Sequence, residues 1–217
     1  MHTRSSLFLG AVLAGALACA SPAFAAELKS IKLPEPQMDG GKPLMQALKN
    51  RKTERAFSAK KLSEPVLSNL LWAAWGVSRP ESGKRTAPSA MNKQEVDVYV
   101  TTADGTYLYD AKAHELKQIL GEDLRAATGG EEFVTTAPVN LVYVRDLTRS
   151  VRDEEEAAFY AAITTGAIVQ NVYLFCASED LATVVRVVPD GPALAKAVGL
   201  RDDQRVLIAQ TVGYPAE

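Results

Sequence analysis

The stretch of residues 154–178 limits the possible folds more than any other part of this chain of 217 residues. Ile163, Ala167 and Leu174, together with their apolar neighbours, leave little polar surface in its middle. A helix that is apolar on every side has to be covered by other elements. The acidic residues 153–156 suit the positive end of such a helix. We therefore expect one long, buried central helix with the rest of the chain packed around it.

The other patterns interleave strands and helices. Val96, Val98 and Val100 alternate with polar residues, and a turn signal at 103–105 leads to a hairpin partner at 107–109. Further strands are predicted at 138–145, 183–188 and 205–212, and further helices at 43–48, 64–75, 114–125 and 191–198. Because the first hairpin is antiparallel, we predict an α+β fold with a mixed, mainly antiparallel sheet flanked by helices around the long central helix.

Residues 1–25 have the anatomy of a secretory signal peptide. Arg4 gives a positive start, residues 7–18 form a short apolar run, and Ala23 and Ala25 stand at the small positions of a cleavage site. We expect cleavage after Ala25 and a periplasmic or secreted protein.

A second interpretation of this segment is a lipoprotein signal, in which Cys19 becomes the acylated first residue. The Leu that usually stands three places before such a Cys is missing. Apart from this alternative lipid anchor, we expect no membrane contact. Residues 26–42 contain several Pro and Gly and little apolar periodicity, which predicts an extended lead-in. A single domain is expected over residues 43–217.

Composition argues against several classes of partner. The formal net charge is −2 and no block of Lys or Arg stands out, so nucleic acids and anionic membrane surfaces are not expected as partners. Cys176 is the one cysteine left after cleavage, so an internal disulfide is not expected, nor is a metal site. Cys176 lies in an apolar helical stretch and is predicted to be a buried thiol. His114 lies in a charged stretch and is predicted to be a surface residue.

Two short segments carry the chemistry. The first, residues 51–57, is called the basic loop and groups Arg51, Lys52 and Arg55 around the hydroxyl of Thr53. Guanidinium groups and a hydroxyl are donors that suit the oxygens of a phosphate.

The second segment, residues 85–94, is called the Pro-Ser loop. Its small residues let a flat ring lie close to the backbone, and its amides can donate to and accept from ring heteroatoms. The residues concerned are Pro88, Ser89, Ala90, Met91, Asn92 and Gln94.

In their order and structural frame the two loops resemble those of the nitroreductase family, and the likeness extends from Leu44 to Pro215. The family segment Arg-x-Ser-x-Arg/Lys-x-Phe is matched in the basic loop, with Thr53 in place of Ser. The family segment Pro-Ser-x-x-Asn-x-Gln is matched in the Pro-Ser loop, and the preceding Arg85 is typical of the branch that includes the SagB and ThcOx-type flavin dehydrogenases.

The resemblance implies an FMN cofactor at the interface of a homodimer, contacted by both chains. It also implies hydride transfer through the flavin N5 to a small organic acceptor, such as a nitroaromatic, a quinone or a ring substrate, with an unknown electron donor. No side chain is assigned as a general acid or base. The implied cofactor-binding residues are Arg51, Lys52, Thr53, Arg55, Pro88, Ser89, Ala90, Met91, Asn92, Gln94 and Gly166.

The family usually has an acidic residue before the Gly that approaches N5, and here Thr165 precedes Gly166. The family also tends to place Lys or Arg just after the last strand, where this sequence reads Tyr-Pro-Ala-Glu. These two departures leave a second hypothesis open. In it the protein keeps the nitroreductase scaffold as a weakly active or inactive ligand-binding protein of the cell envelope. Lys52 and Lys93 either polarise a flavin carbonyl or are simply solvated.

Overall fold

A computed structural model describes residues 28–150 and 153–216. The predicted signal peptide, its cleavage site and Cys19 lie outside these residues. The helices are α1 (Leu44–Asn50), α2 (Glu64–Trp75), α3 (Phe133–Thr136), α4 (Glu154–Ser178) and α5 (Gly191–Ala197). The strands are β1 (Ser30–Lys32), β2 (Val77–Arg79), β3 (Lys84–Arg85), β4 (Val96–Thr102), β5 (Gly105–Asp110), β6 (Glu115–Leu120), β7 (Val139–Asp146), β8 (Ala182–Arg186) and β9 (Gln204–Gly213).

Seven strands form the main sheet in the order β1-β6-β5-β4-β7-β9-β8, and β2 pairs with β3 in a small separate ribbon. Every strand pair in the described part of the chain is antiparallel. The predicted α+β fold with a mainly antiparallel sheet is therefore confirmed, and the described strands include no parallel pair that would make the sheet mixed.

The long helix α4 packs on one side only. Its inner face lies against α1, α2 and the sheet, and Ala161, Ile168 and Val172 are fully buried there. Its outer face leaves Phe159 62% exposed and Ile163 52% exposed. The long helix is confirmed, but the expectation that this chain alone covers it on every side is wrong. Its length and apolar composition would also suit a membrane span, yet its inner face forms part of the core.

The predicted helix at 114–125 is wrong, because half of this stretch is the strand β6, paired with β5 and β1. Leu116 points into the core, and His114 makes the preceding turn with a φ of +50°. The predicted surface position of His114 is only partly right, because its side chain is half-buried and hydrogen-bonded. Its Nδ1 lies 2.9 Å from the Tyr109 hydroxyl, and its Nε2 lies 2.7 Å from Ser68 Oγ and 3.0 Å from the carbonyl oxygen of Pro34.

The lead-in is extended, but part of it is packed. Strand β1 pairs with β6, and Leu33 is buried in the main core. The backbone N–H of Leu33 donates to the carbonyl of His114 at 3.1 Å. Packing in the described part of the chain therefore begins before residue 43, because the edge of β6 offers free backbone groups to a passing strand.

Strand β8 is fastened to the rest of the sheet by a buried arginine. Arg186 donates from Nε to Thr211 Oγ1 at 3.0 Å and from Nη2 to Asn140 Oδ1 at 2.8 Å and Thr128 Oγ1 at 2.7 Å. Its Nη1 donates to the carbonyl of Thr128. Burial lowers the pKa of Arg186 to about 10. The network fixes the strand against which the basic loop lies.

Candidate active site

The basic loop is held at its middle and just after its end by backbone hydrogen bonds. The N–H of Glu54 donates to the carbonyl of Thr183, at the start of β8, at 3.0 Å. The N–H of Ser58 donates to the carbonyl of Tyr214, just after β9, at 2.9 Å. Phe57 is buried and forms a bridge with Pro215. The loop therefore keeps a defined place between α1 and the last two strands.

The charges of the basic loop are divided between internal pairing and solvent. Lys52 Nζ lies 2.8 Å from the Glu54 carboxylate, which neutralises this lysine locally. The guanidinium of Arg51 lies over the ring of Tyr173, 5.3 Å from its centroid. Arg55 is exposed. Arg51 and Arg55 have no ion-pair partner among the described residues, so they are the two cations of this loop that can receive an anion.

Thr53 is joined to the long helix by its hydroxyl. Thr53 Oγ1 lies 3.1 Å from the Tyr173 hydroxyl oxygen, and the same oxygen accepts the backbone N–H of Val185 at 3.1 Å. Tyr173 is 7% exposed. The basic loop, α4 and β8 therefore meet at one buried phenol group, which sequence reasoning did not single out.

A cleft of about 490 Å³ lies beside the basic loop. Lys52, Glu54, Tyr173 and Thr183 belong to its lining. Its other carboxylate, Asp180, is paired with Lys42. Cys176, another lining residue, is 1% exposed, which confirms the predicted buried thiol. Burial also raises the pKa of the Cys176 thiol, so this group is protonated and unreactive at neutral pH.

The Pro-Ser loop has a tight backbone held by its own amides. Met91, Asn92 and Gln94 have φ values of +49°, +55° and +52°, in the left-handed region that non-glycine residues rarely adopt. The Gln94 amide donates to the carbonyl of Gly83 at 2.9 Å and to Asn92 Oδ1 at 3.1 Å, and it accepts from Arg85 Nε at 2.7 Å. Gln94 is predicted as a cofactor contact, but its side-chain amide forms hydrogen bonds within the loop and so maintains the loop conformation.

The other residues of the Pro-Ser loop either support its backbone or form its outer surface. Ser89 Oγ accepts the N–H of Gln94 at 3.0 Å, so its hydroxyl oxygen also supports the backbone. Pro88, Met91 and Asn92 are exposed and Ala90 is half-buried, so these residues form the outer surface of the loop.

Arg85 fixes the base of the same loop. Its guanidinium lies over the ring of Trp75, 4.7 Å from the centroid, and its Nη1 donates to the carbonyl of Trp75 at 2.8 Å. Burial lowers the pKa of Arg85, although its ordinary value is high enough that the group stays charged at neutral pH.

A buried carboxylate connects the Pro-Ser loop to α4. Glu95 follows the loop directly, is 2% exposed and accepts the Thr164 hydroxyl at 2.7 Å. Its second oxygen, Oε2, has no hydrogen-bond partner among the described residues. Sequence reasoning missed Glu95, although an acidic residue at the start of an apolar alternating strand is a visible signal.

Thr165 and Gly166 are neighbours on α4 that differ in exposure. Thr165 is 5% exposed, and its hydroxyl has no hydrogen-bond partner in the part of the chain that the structure describes. Gly166 is exposed, and a Cβ built there would meet nothing within 4 Å. The predicted close approach of a ligand to Gly166 therefore requires a molecule on the outer face of α4.

The two loops contact α4 at different positions along the helix axis. The basic loop contacts Tyr173 and the Pro-Ser loop is connected to Thr164, nine residues apart, which is about 14 Å along the helix axis. The cleft beside the basic loop takes no described lining residue from 85–94. One chain therefore brings the predicted residues into two half-sites rather than one.

Apolar side chains are exposed on both α1 and α4. Leu44, Met45 and Leu48 on α1 are 62%, 76% and 43% exposed. Only Ala47 is buried on α1. Phe159 and Ile163, one turn apart on α4, are 62% and 52% exposed. Each group is an exposed apolar cluster on one helix, which marks an interaction surface.

Comparison with known proteins agrees with the architecture. The model of the family described as "Nitroreductase family" matches residues 48–214. No curated protein matches. A solved structure from Ralstonia eutropha, described as a nitroreductase, is 40% identical, with 87% of this chain and 90% of that chain covered and a TM-score of 0.83.

More distant structures share the fold. A nitroreductase in complex with FMN from Desulfovibrio desulfuricans is 22% identical, over 81% of this chain and 88% of that chain, with a TM-score of 0.59. The Escherichia coli microcin synthetase McbBCD complex contains a chain that is 20% identical, over 93% of this chain and 85% of that chain, with a TM-score of 0.67. The family match over most of the chain and the 40% identical structure lead to one conclusion: the chain belongs to the nitroreductase family.

Proposed function

We propose that the protein is an exported, FMN-dependent oxidoreductase that acts as a homodimer. The observation that carries this proposal is the separation of the two family motifs into two half-sites on α4. A flavin at the junction of two copies would meet the basic loop of one copy and the Pro-Ser loop of the other. The FMN complex of the Desulfovibrio desulfuricans nitroreductase supports the choice of cofactor.

The residues of the basic loop fit the phosphate end of FMN. Arg51 and Arg55 are cations without described carboxylate partners, and Thr53 adds a hydroxyl that Tyr173 holds in place. Each charge-assisted contact to a phosphate is worth about 1.5 to 3 kcal/mol. Lys52 contributes less, because Glu54 already neutralises it.

The Pro-Ser loop fits the flat end of the cofactor. Its outer surface presents Asn92 and the exposed Met91 on a backbone that internal hydrogen bonds keep rigid. On the outer face of α4, Gly166 leaves room for a close approach. Bound FMN supplies hydride transfer through its N5 atom to a small organic acceptor, such as a nitroaromatic, a quinone or a ring substrate. The chain binds and orients the ring, and we assign no general acid or base to it.

The exposed apolar residues on the outer face of α4 fit the dimer contact. The same helix carries Thr164 and Tyr173 on its inner face, so it connects the proposed contact to both half-sites. Covering the outer face with a second copy would bury Phe159 and Ile163 and place Gly166 at the junction of the copies.

Within the family we propose the branch of the SagB and ThcOx-type flavin dehydrogenases. Arg85 supports this choice, since it is typical of that branch and forms the base of the Pro-Ser loop. The likeness of the fold to a chain of the McbBCD complex agrees with it. Export is proposed from the signal-peptide pattern of residues 1–25. Cell fractionation followed by N-terminal sequencing tests it. We expect the chain in the periplasmic fraction, beginning at Ala26, and a chain that stays in the cytoplasmic fraction and begins at Met1 would refute it.

The test of cofactor binding is titration of the purified apoprotein with FMN, followed by flavin fluorescence and absorbance. We expect a yellow protein with one FMN per chain and a higher melting temperature. The double variant Arg51→Gln, Arg55→Gln should weaken binding by at least about tenfold. Lys60→Gln, Lys61→Gln is the matched control, since it removes the same charge from the adjoining residues and should bind FMN normally. If the wild-type protein retains no flavin at micromolar concentration, the proposal is refuted.

A second measurement separates the enzyme from a ligand-binding protein of the envelope. Thr165, which stands in place of the family's acidic residue, favours this alternative. Stopped-flow absorbance follows reduction of the bound flavin by several electron donors. An enzyme reduces it faster than free FMN is reduced, whereas a protein that only binds the ligand does not.

A further inference from the structure

The Tyr173 hydroxyl stands at the contact between α4 and the basic loop. We infer that Tyr173 is a positioning residue that turns the Thr53 hydroxyl into a hydrogen-bond donor for the phosphate of the cofactor, and so makes the site prefer a phosphorylated flavin. This inference rests on the proposed FMN function. It concerns one atom, the Tyr173 hydroxyl oxygen, and its two described neighbours.

The direction of these hydrogen bonds follows from which groups can donate. The backbone N–H of Val185 can only donate, so the Tyr173 oxygen accepts at that contact, 3.1 Å away. Tyr173 has one proton of its own, and among the described residues its hydroxyl finds an acceptor in Thr53 Oγ1 at 3.1 Å. When Tyr173 donates to Thr53, the proton of the Thr53 hydroxyl has to point elsewhere. It is then available to an anion bound by the basic loop.

The same side chain also positions a cation. The guanidinium of Arg51 lies 5.3 Å from the centroid of the Tyr173 ring, a cation–π contact. Tyr173 is 7% exposed and held by α4 on one side and β8 on the other. It therefore orders two of the phosphate-binding groups before the ligand arrives, which lowers the entropy cost of binding.

This arrangement favours a phosphate over a neutral hydroxyl. Phosphate oxygens at neutral pH act chiefly as acceptors, so a threonine whose oxygen is already occupied by Tyr173 matches them. The terminal ribityl hydroxyl of riboflavin, by contrast, can donate or accept and gains little from a fixed donor. The ratio of the dissociation constants for riboflavin and FMN therefore measures what Tyr173 does.

The decisive variant is Tyr173→Phe, which keeps the ring under Arg51 and removes the hydroxyl. Both flavins are titrated against apoprotein by fluorescence quenching. We expect the FMN dissociation constant to rise about tenfold, which corresponds to partial loss of one charge-assisted hydrogen bond, while that of riboflavin changes less than about twofold. Tyr109→Phe is the matched control, since it removes another hydroxyl of low exposure, bonded to His114, and should leave the ratio unchanged.

Substitutions of Thr53 complete the test. Thr53→Val should lower the preference for FMN as Tyr173→Phe does, and Thr53→Ser should keep it. If Tyr173 acts through Thr53, adding Tyr173→Phe to Thr53→Val causes no further loss. The Thr53 variants still decide the question if Tyr173→Phe fails to fold, because an unchanged preference in Thr53→Val refutes the inference.

Equal weakening of both flavins in Tyr173→Phe would show a merely structural role and overturn the inference while FMN binding stands. An unchanged FMN dissociation constant in that variant would overturn it too. A wild type that retains no FMN overturns the proposed function, and this inference with it.

Discussion

Replacement of Phe159 by Asp tests the dimer on which the flavin proposal depends. Phe159 is 62% exposed on the outer face of α4. A phenylalanine buries roughly 200 Å², so complete covering of the exposed part removes about 120 Å² from water. At about 25 cal/mol per Å² this contributes about 3 kcal/mol for each copy. A twofold interface uses the residue twice, which gives about 6 kcal/mol as an upper limit.

The dissociation constant of the dimer should therefore rise between about 10² and 10⁴-fold in Phe159→Asp. Sedimentation equilibrium over a range of concentrations measures it, with FMN binding recorded on the same samples. Val187→Asp is the matched control, because Val187 is 75% exposed but lies just after β8 and belongs to neither α1 nor α4. We expect Phe159→Asp to be monomeric and to lose FMN, and Val187→Asp to do neither. A Phe159→Asp protein that stays dimeric with an unchanged constant would refute the assignment of this face.

Three further predictions concern buried or half-buried side chains away from that face. Arg186→Met should lower the free energy of unfolding by about 3 to 5 kcal/mol, because four hydrogen bonds of a buried charge are lost. Calorimetry should record a melting temperature about 10 °C lower, and a loss of stability under about 1 kcal/mol would contradict this prediction. Burial lowers the pKa of His114 below its unfolded value of about 6.5, so its contribution to stability is complete above that pH and is lost as the pH falls towards the folded pKa. Urea midpoints between pH 7.5 and 5 should decline less in His114→Gln than in the wild type, and equal declines would exclude His114 as a cause. Cys176 should react with a thiol reagent only after denaturation, when tested in a Cys19→Ser chain, because its thiol is buried and its pKa is raised; rapid labelling of the native protein would disprove the burial.

Much of the fold is readable from local patterns. The alternation of Val96, Val98 and Val100 predicts β4, and all three side chains are fully buried in the main core. The stretch 114–125 fails because its apolar residues are few and suit either a helix or a strand. Pairing with β5 on one side and β1 on the other makes this stretch a strand, and the sequence pattern of the stretch itself does not reveal those partners.

The candidate site is readable in part for a related reason. Motifs identify which loops bear the chemistry, but a motif does not separate a side chain that contacts a ligand from one that shapes the loop. Gln94 illustrates this, since its amide is used by Arg85, Gly83 and Asn92. Tyr173 illustrates the converse, because a tyrosine within an apolar helix gives no sign that its hydroxyl reaches a loop 120 positions away.

The exposed outer face of α4 follows from the same limit of sequence patterns. An apolar helix requires covering, but the pattern does not say which molecule provides it. In this chain α1, α2 and the sheet cover the inner face, where Ile168 and Val172 are fully buried, and leave Phe159 and Ile163 open. The two family motifs are likewise divided along α4 rather than gathered in one cleft. A second copy on the outer face accounts for both features at once, because it would bury the open side chains and bring a second pair of half-sites to the same helix.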